Sequence, residues 1–190
     1  MGTRVMMVLL LAAGLASSGC RSVGTPAEKA QARADLDTRS SEILSHLYAV
    51  MPKARQAVES AAGYATFNPF GTKIMIAGSS LGRGLAYNQR TKQTTYMSML
   101  EVQAGLGMGI KKYRLIFVFR TEDALNEFID SGFELGARAD AVAKLEDTGA
   151  SFEGAASIAK DVWLYQLTES GLALELTVKG TKFFKDDDLN

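Results

Sequence analysis

YRLIFVFR, residues 113–120, runs Leu115, Ile116, Phe117, Val118 and Phe119 with no polar residue between them. Successive side chains of a strand point to opposite faces, so an unbroken apolar run needs cover on both faces. This stretch predicts a central, buried strand. On its C-terminal side, Thr121 is placed to cap a helix over EDALNEFIDS (122–131), whose Leu125, Phe128 and Ile129 form one apolar stripe and which Gly132 ends. On its N-terminal side, KK (111–112) makes a tight connection back to a long strand, TTYMSMLEVQAGLGMGI (94–110). Before that strand come the turn QRTKQ (89–93), a long strand bent at its glycines, TKIMIAGSSLGRGLAYN (72–88), and a short one, GYATFNP (63–69), which Pro69 stops.

Two helices precede these strands. Thr25 is a cap, Pro26 suits a first helical position and Glu28 completes a capping box, which predicts a helix over residues 26–51. Its apolar positions are sparse at first (Ala30, Ala34) and denser later (Ile43, Leu44, Leu47, Tyr48), so its second half is expected to pack. Pro52 breaks it and starts a second helix that ends at Gly63. Downstream, FELGARADAVAKLED (133–147) alternates as a strand although its alanines favour helix, and TGASFEGAAS (148–157) is expected to be a loop. DVWLYQLT (161–168) and LALELTVKG (172–180) form a hairpin across ESG, and DDDLN (186–190) is expected to be a solvated acidic tail. The fold class expected is α+β: a strongly bent, mostly antiparallel sheet or partly closed barrel, with covering helices and an N-terminal helical arm. Gly105, Gly107 and Gly109 share one strand face, as do Gly78, Ser80, Gly82 and Gly84, which lets another element approach closely.

Composition sets the limits. The 190 residues are 47% hydrophobic and 22% charged, the range of one folded domain rather than a disordered chain. A net charge of +0 supplies no nucleic-acid-binding field. The lone cysteine, Cys20, excludes an internal disulfide, and the lone histidine, His46, excludes a histidine pair for a metal.

The N-terminus has the plan of an export signal: Arg4, the apolar run VMMVLLLAAGLA, then Ser17, Ser18 and Gly19 before Cys20. The run is too short to span a bilayer as a helix, which takes about 20 residues. The position of Cys20 resembles a bacterial lipoprotein signal, with Ser17 where an aliphatic residue is usual. That resemblance implies cleavage of residues 1–19, acylation of Cys20 (diacylglycerol and palmitate-type chains), a lipidated tether over 20–25 and a membrane partner. It also implies a lipid-anchored place in the bacterial cell envelope. Arg21, rather than Asp, follows the cysteine, which favours the outer membrane, facing the periplasm. Cleavage would remove only Arg4 among charged residues, leaving 20 basic and 21 acidic side chains, a net of −1. Acyl chains, not a charge field, would then hold the protein on the membrane.

Three chemistries come into question for the domain. Gly78-Ser79-Ser80-Leu81-Gly82 matches G-x-S-x-G, but no helical sequence follows Ser80, and His46 precedes it where that hydrolase order puts the histidine last. AGLGMGI lacks the lysine and Ser/Thr of a phosphate loop. The remaining candidates are basic residues at strand connections: Lys111, Lys112 and Arg114, then Lys179, Lys182 and Lys185 around Phe183 and Phe184. Basic residues beside exposed aromatics suit anionic headgroups at a membrane interface, while charged turns of no function are the bland alternative. His46 reads as a helix-surface or partly packed residue, and Asp186, Asp187 and Asp188 as a frayed tail.

Four blocks resemble the SYLF domain family. They are KARQAVESAAGYATFNPFGTKIMIAGSSLGRGLAY (53–87), VQAGLGMGIKKYRLIFVF (102–119), ALNEFIDSGFELGARADAVA (124–143) and VWLYQLTESGLALELTVKGTKF (162–183). The resemblance implies a SYLF-like domain over 52–185 that binds lipid, with no catalytic residues, no metal and no cofactor. Eukaryotic members are adaptors that bind phosphoinositides and associate with actin; actin binding is not carried over to an exported bacterial chain. The function expected is a non-catalytic envelope lipoprotein that binds anionic phospholipid or another envelope component. The alternatives are an envelope protein-binding scaffold and a serine hydrolase using Ser80. No protein partner is named by the sequence.

Overall fold

A computed structural model of the chain describes residues 24–68, 75–76, 79–102, 113–135, 154–169, 171–173 and 180–190. Its elements in chain order are α1 (Pro26–Val50), α2 (Lys53–Glu59), β1 (Gly63–Asn68), β2 (Met75–Ile76), β3 (Ser79–Asn88), β4 (Thr94–Val102) and β5 (Tyr113–Phe119). There follow α3 (Glu122–Asp130), β6 (Phe133–Leu135), β7 (Ala156–Ala159), β8 (Val162–Thr168), β9 (Gly171–Ala173) and β10 (Thr181–Lys185). Every described strand pair is antiparallel, in the order β6-β10-β4-β3-β1-β5-β8-β7, with β2 added to β3 and β9 to β8. The sheet curls into a nearly closed barrel: residues of β6 and β10 at one end of the path, and of β7 and β8 at the other, line a single cavity of about 730 Å³ with α3.

β5 lies deep in this order and is covered on both faces. Leu115, Phe117 and Phe119 point into the barrel with Phe67, Met97, Met99, Leu164 and Phe183, and α3 adds Leu125 and Phe128 to the same core. Ile116 and Val118 point outward, under Ile43 and Leu47 of α1 and Ala54 and Val58 of α2, with Trp163, Tyr165 and Leu167 of β8 beside them. Both helix starts are built as the sequence predicts. Thr25 Oγ1 accepts from the Glu28 N–H while a Glu28 carboxylate oxygen accepts from the Thr25 N–H at 2.6 Å, and Thr121 Oγ1 accepts from the Ala124 N–H. Gly132 closes α3 at φ +71°, a conformation that favours glycine.

Four expectations are corrected. The stretch 72–88 is not one strand: Met75 pairs with Ser80 and Ile76 with Ser79, so the chain reverses between β2 and β3. Ala156 and Ser157, expected in a loop, begin β7. Phe183 is not an exposed aromatic; it lies in the barrel core, while its neighbour Phe184 is 43% exposed, as alternation along a strand requires. Residues 186–190 are not a solvated tail. Asp186 is 5% exposed, paired with Arg83 Nε at 2.9 Å and accepting from Ser98 Oγ at 2.8 Å, and Leu189 is 1% exposed.

Those last residues hold the first half of α1 down. Arg33 Nε donates to the Leu189 carbonyl at 2.7 Å, and Lys29 Nζ lies 4.0 Å from Asp188. Asn190 bonds both backbone groups of Tyr96, whose hydroxyl meets Asp37 of α1. A helix half poor in apolar residues is thus secured by polar contacts.

Buried tyrosines give the fold an alkaline limit. Burial, then the charges of Glu59 and Tyr64, pushes the Tyr48 hydroxyl up from 10.0 to about 12, against the opposing pull of Arg55. Burial also raises Tyr64, and raises Tyr113 further, with Glu101 beside it as the second cause. The folded state favours the neutral phenol at each site, so this contribution is whole below the ordinary tyrosine value and drains away as pH rises through the folded one. Denaturant midpoints are therefore expected to hold up to about pH 10 and to fall from there towards about pH 12. Tyrosinate absorbance read alongside would contradict this if all six tyrosines ionised together at the ordinary value with no loss of stability.

Candidate binding cleft

α1 crosses the outer face of β1, β3 and β5 at close range because a small residue stands at the crossing. Ser40 is buried there and accepts a hydrogen bond from Thr66 Oγ1 at 2.9 Å. Beyond that contact the sheet carries a polar row. Asn68 of β1 pairs with Arg83 of β3, and one step past the Phe67–Leu115 pair it stands opposite Arg114 of β5. The row and the helix enclose a narrow slot of about 110 Å³, bordered by Asp35, Arg39, Ser40, Thr66, Asn68 and Arg83, which continues into a wider cleft of about 650 Å³. The cleft is lined by Asp35, Thr38, Arg39, Glu42, Ile43 and His46 from α1, with Asn68 and Arg114 from the sheet.

The charges in this cleft are unevenly matched. Arg83 is neutralised by the buried Asp186. Arg114 is partly buried, and its Nη1 lies 3.1 Å from His46 Nδ1. A guanidinium has donors only, so Nδ1 accepts in this contact, the role it has when the ring proton is on Nε2. Among the described residues neither Arg114 nor Arg39 has a carboxylate within salt-bridge distance. On the acidic side, Asp35 accepts from Gln31 Nε2 at 2.8 Å. Two arginine forks without carboxylates, beside an amide and a hydroxyl, are equipped to bind an oxyanion.

The structure separates the basic residues singled out in the sequence. Arg114 lines the cleft. Lys182 and Lys185 lie on β10, four strand steps away, or about 19 Å along the sheet. Lys182 pairs with Glu134 at 3.3 Å, an exposed contact of small energetic weight. Cys20, Lys111, Lys112 and Lys179 lie outside the described residues, as do the glycine faces at 105–109 and Gly78. Sequence reading did not find Arg39, Asn68 and Arg83. Alternation along β1 and β3 puts Asn68 and Arg83 on the outer face, yet their union with Arg114 depends on two strand registers that no local pattern records.

The rival chemistries gain nothing from the geometry. Ser80 is held within the β3 ladder between Met75 and Glu101, not on a strand-to-helix elbow. No group of three metal-ligating side chains converges among the described residues. No described helix is long and apolar enough to cross a membrane.

Two comparisons with known proteins bear on the domain. Residues 100–190 match the Ysc84 family model, described as Las17-binding protein actin regulator. The chain is also similar to beta cell expansion factor A of Aeromonas veronii, at 29% identity over 166 residues. That alignment covers 86% of this chain and 61% of the relative, so the chain spans about three-fifths of the relative's length.

Proposed function

Since residues 100–190 belong to the Ysc84 (SYLF) family of binding domains, we propose that this is a non-catalytic, lipid-anchored protein of the bacterial envelope. Its domain holds an anionic lipid headgroup, or another anionic envelope component, in the cleft beneath α1. Cys20 is the anchor and the outer membrane, on its periplasmic side, the place. The observation that carries the binding reading is the pair Arg39 and Arg114, facing one cleft with no carboxylate partner among the described residues. The signal-like N-terminus ending at Cys20 supports the anchor, and acylation would bring the cleft to a membrane without a basic surface field.

A chain carrying Cys20→Ser, which removes the acyl anchor, is expected to float with phosphatidylglycerol vesicles at low salt and not with phosphatidylcholine vesicles. High salt is expected to release it, because exposed charge contacts are screened. Flotation that ignores anionic vesicles at low salt would remove the lipid reading and favour a protein partner. The family description, which names a protein that members bind, lends support to that second reading.

A further inference from the structure

We propose that the α1 cleft is a proton-linked oxyanion site, in which a phosphate- or sulfate-type group binds between Arg114, Arg39 and His46 and binds tightest when His46 is protonated. The proposal rests on the anion-binding reading of this cleft and adds its switch. His46 accepts from Arg114 through Nδ1, a contact that uses the neutral ring. Adding a proton turns Nδ1 into a donor. Two donors then face each other across the same 3.1 Å, and Arg114 must give up the contact. An oxyanion placed between them accepts from both, replacing a repulsion with two charge-assisted hydrogen bonds.

The charges around the ring set the direction. α1 contributes Asp35, Arg39 and Glu42, β5 contributes Arg114, and β1 contributes only the neutral Asn68. Arg83, further along the row, is already matched by Asp186. Among the described residues, two arginines against two carboxylates leave the cleft lining with no net charge while His46 is neutral, and one net positive charge once it is protonated. Glu42, one turn back on α1, competes for the protonated ring, but it is an exposed and hydrated carboxylate, whereas Arg114 is partly buried. Histidine as a residue type changes charge between pH 5 and 8, which sets the pH range of the test. By reciprocity the anion and the proton favour each other's binding by the same factor.

Sulfate is the probe, because it stays a dianion between pH 5.5 and 7.5 and any pH effect belongs to the protein. Calorimetry on the untagged full chain is expected to show sulfate binding at least about fivefold tighter at pH 5.5 than at 7.5, the lower end of an ordinary coupling. His46 is the only histidine, so its ring resonances need no assignment, and sulfate is expected to extend their protonated form to higher pH. His46→Gln is expected to bring the ratio between the two pH values to about one, and Arg114→Gln to weaken sulfate binding at pH 5.5 by at least about tenfold, the loss of one charge-assisted contact. Unmoved histidine resonances, or a pH ratio that persists in His46→Gln, overturn the proposal even if a variant is hard to obtain.

Vesicles separate the inference from the reading beneath it. If the Cys20→Ser chain floats with phosphatidylglycerol and the Cys20→Ser, Arg114→Gln double variant floats equally well, headgroups bind elsewhere on the domain, and without sulfate binding the proton-linked site is lost while lipid binding by the domain stands. If sulfate binds with the stated pH ratio and no vesicle does, the site stands with a free oxyanion as its ligand and the lipid reading falls. If sulfate displaces the chain from vesicles at pH 5.5, the headgroup is the source of the oxyanion.

Discussion

Phe117→Ala is expected to lower the unfolding free energy by about 3–5 kcal/mol, the range for emptying a large aromatic site in a packed core. Phe117 is 0% exposed and, among the described residues, its ring meets five others: Phe183 at 4.9 Å, Phe128 at 5.1 Å, Phe67 at 5.8 Å, Phe133 at 6.1 Å and Phe119 at 6.4 Å between centroids. These rings come from β10, α3, β1, β6 and β5 itself, so neighbouring elements cannot close over the hole by moving one of them. A domain of this size has about 5–15 kcal/mol to lose, which makes this one change about a fifth of it or more. Phe184→Ala, one residue from Phe183 but on the exposed side of β10, is expected to cost less than about 1 kcal/mol. Urea unfolding of the two variants checks the contrast. A Phe117→Ala midpoint as mild as that of Phe184→Ala would mean that the barrel interior is not packed in this way.

Gly84→Ala is expected to cost about 3 kcal/mol, although it adds a single methyl group. A Cβ at Gly84 would stand 2.1 Å from the Thr66 carbonyl oxygen and 2.5 Å from Phe67 Cδ1. The first obstacle is backbone of the paired strand, so no rotamer change relieves it. β1 and β3 must move apart at the Gly84–Phe67 pair, which also loosens the floor of the cleft beside Asn68 and Arg83. Denaturant unfolding measures the loss, and faster amide exchange confined first to β1 and β3 would locate it. A variant as stable as the parent would show that the strands do not approach so closely.

What the sequence disclosed, and what it hid, follows from the range of the interactions. β5 was legible because five adjacent apolar residues need two covered faces wherever the strand sits. α1 and α3 were legible because a capping residue and its bonded N–H lie three positions apart. β10 was not: Lys182, Phe184 and Lys185 look like a basic-aromatic surface, and only pairing with β4, which sets Phe183 opposite Met99, shows that alternate residues turn inward. Asp186 and Leu189 looked like tail residues because their partners, Arg83 and Arg33, stand far back in the chain. The cleft was hidden for the same reason. Arg114 was visible as one of several cations, but nothing local to it announces that β1 brings Asn68 alongside or that α1 brings His46 and Arg39 overhead.

The clasp between residues 186–190 and α1 has a consequence in time. Arg33 and Leu189 are 156 positions apart, and Tyr96 and Asn190 are 94 apart. A helix synthesised early therefore waits, with half its length unsecured, for residues made long after it. Contacts of such separation give no return until the long loop between them has closed, so they form late and slow the approach to the native state. The clasp acts as a late signal: the cleft beneath α1 gains its fixed roof only once residues 186–190 have been made, and a chain that has not reached them carries the arginines without the site.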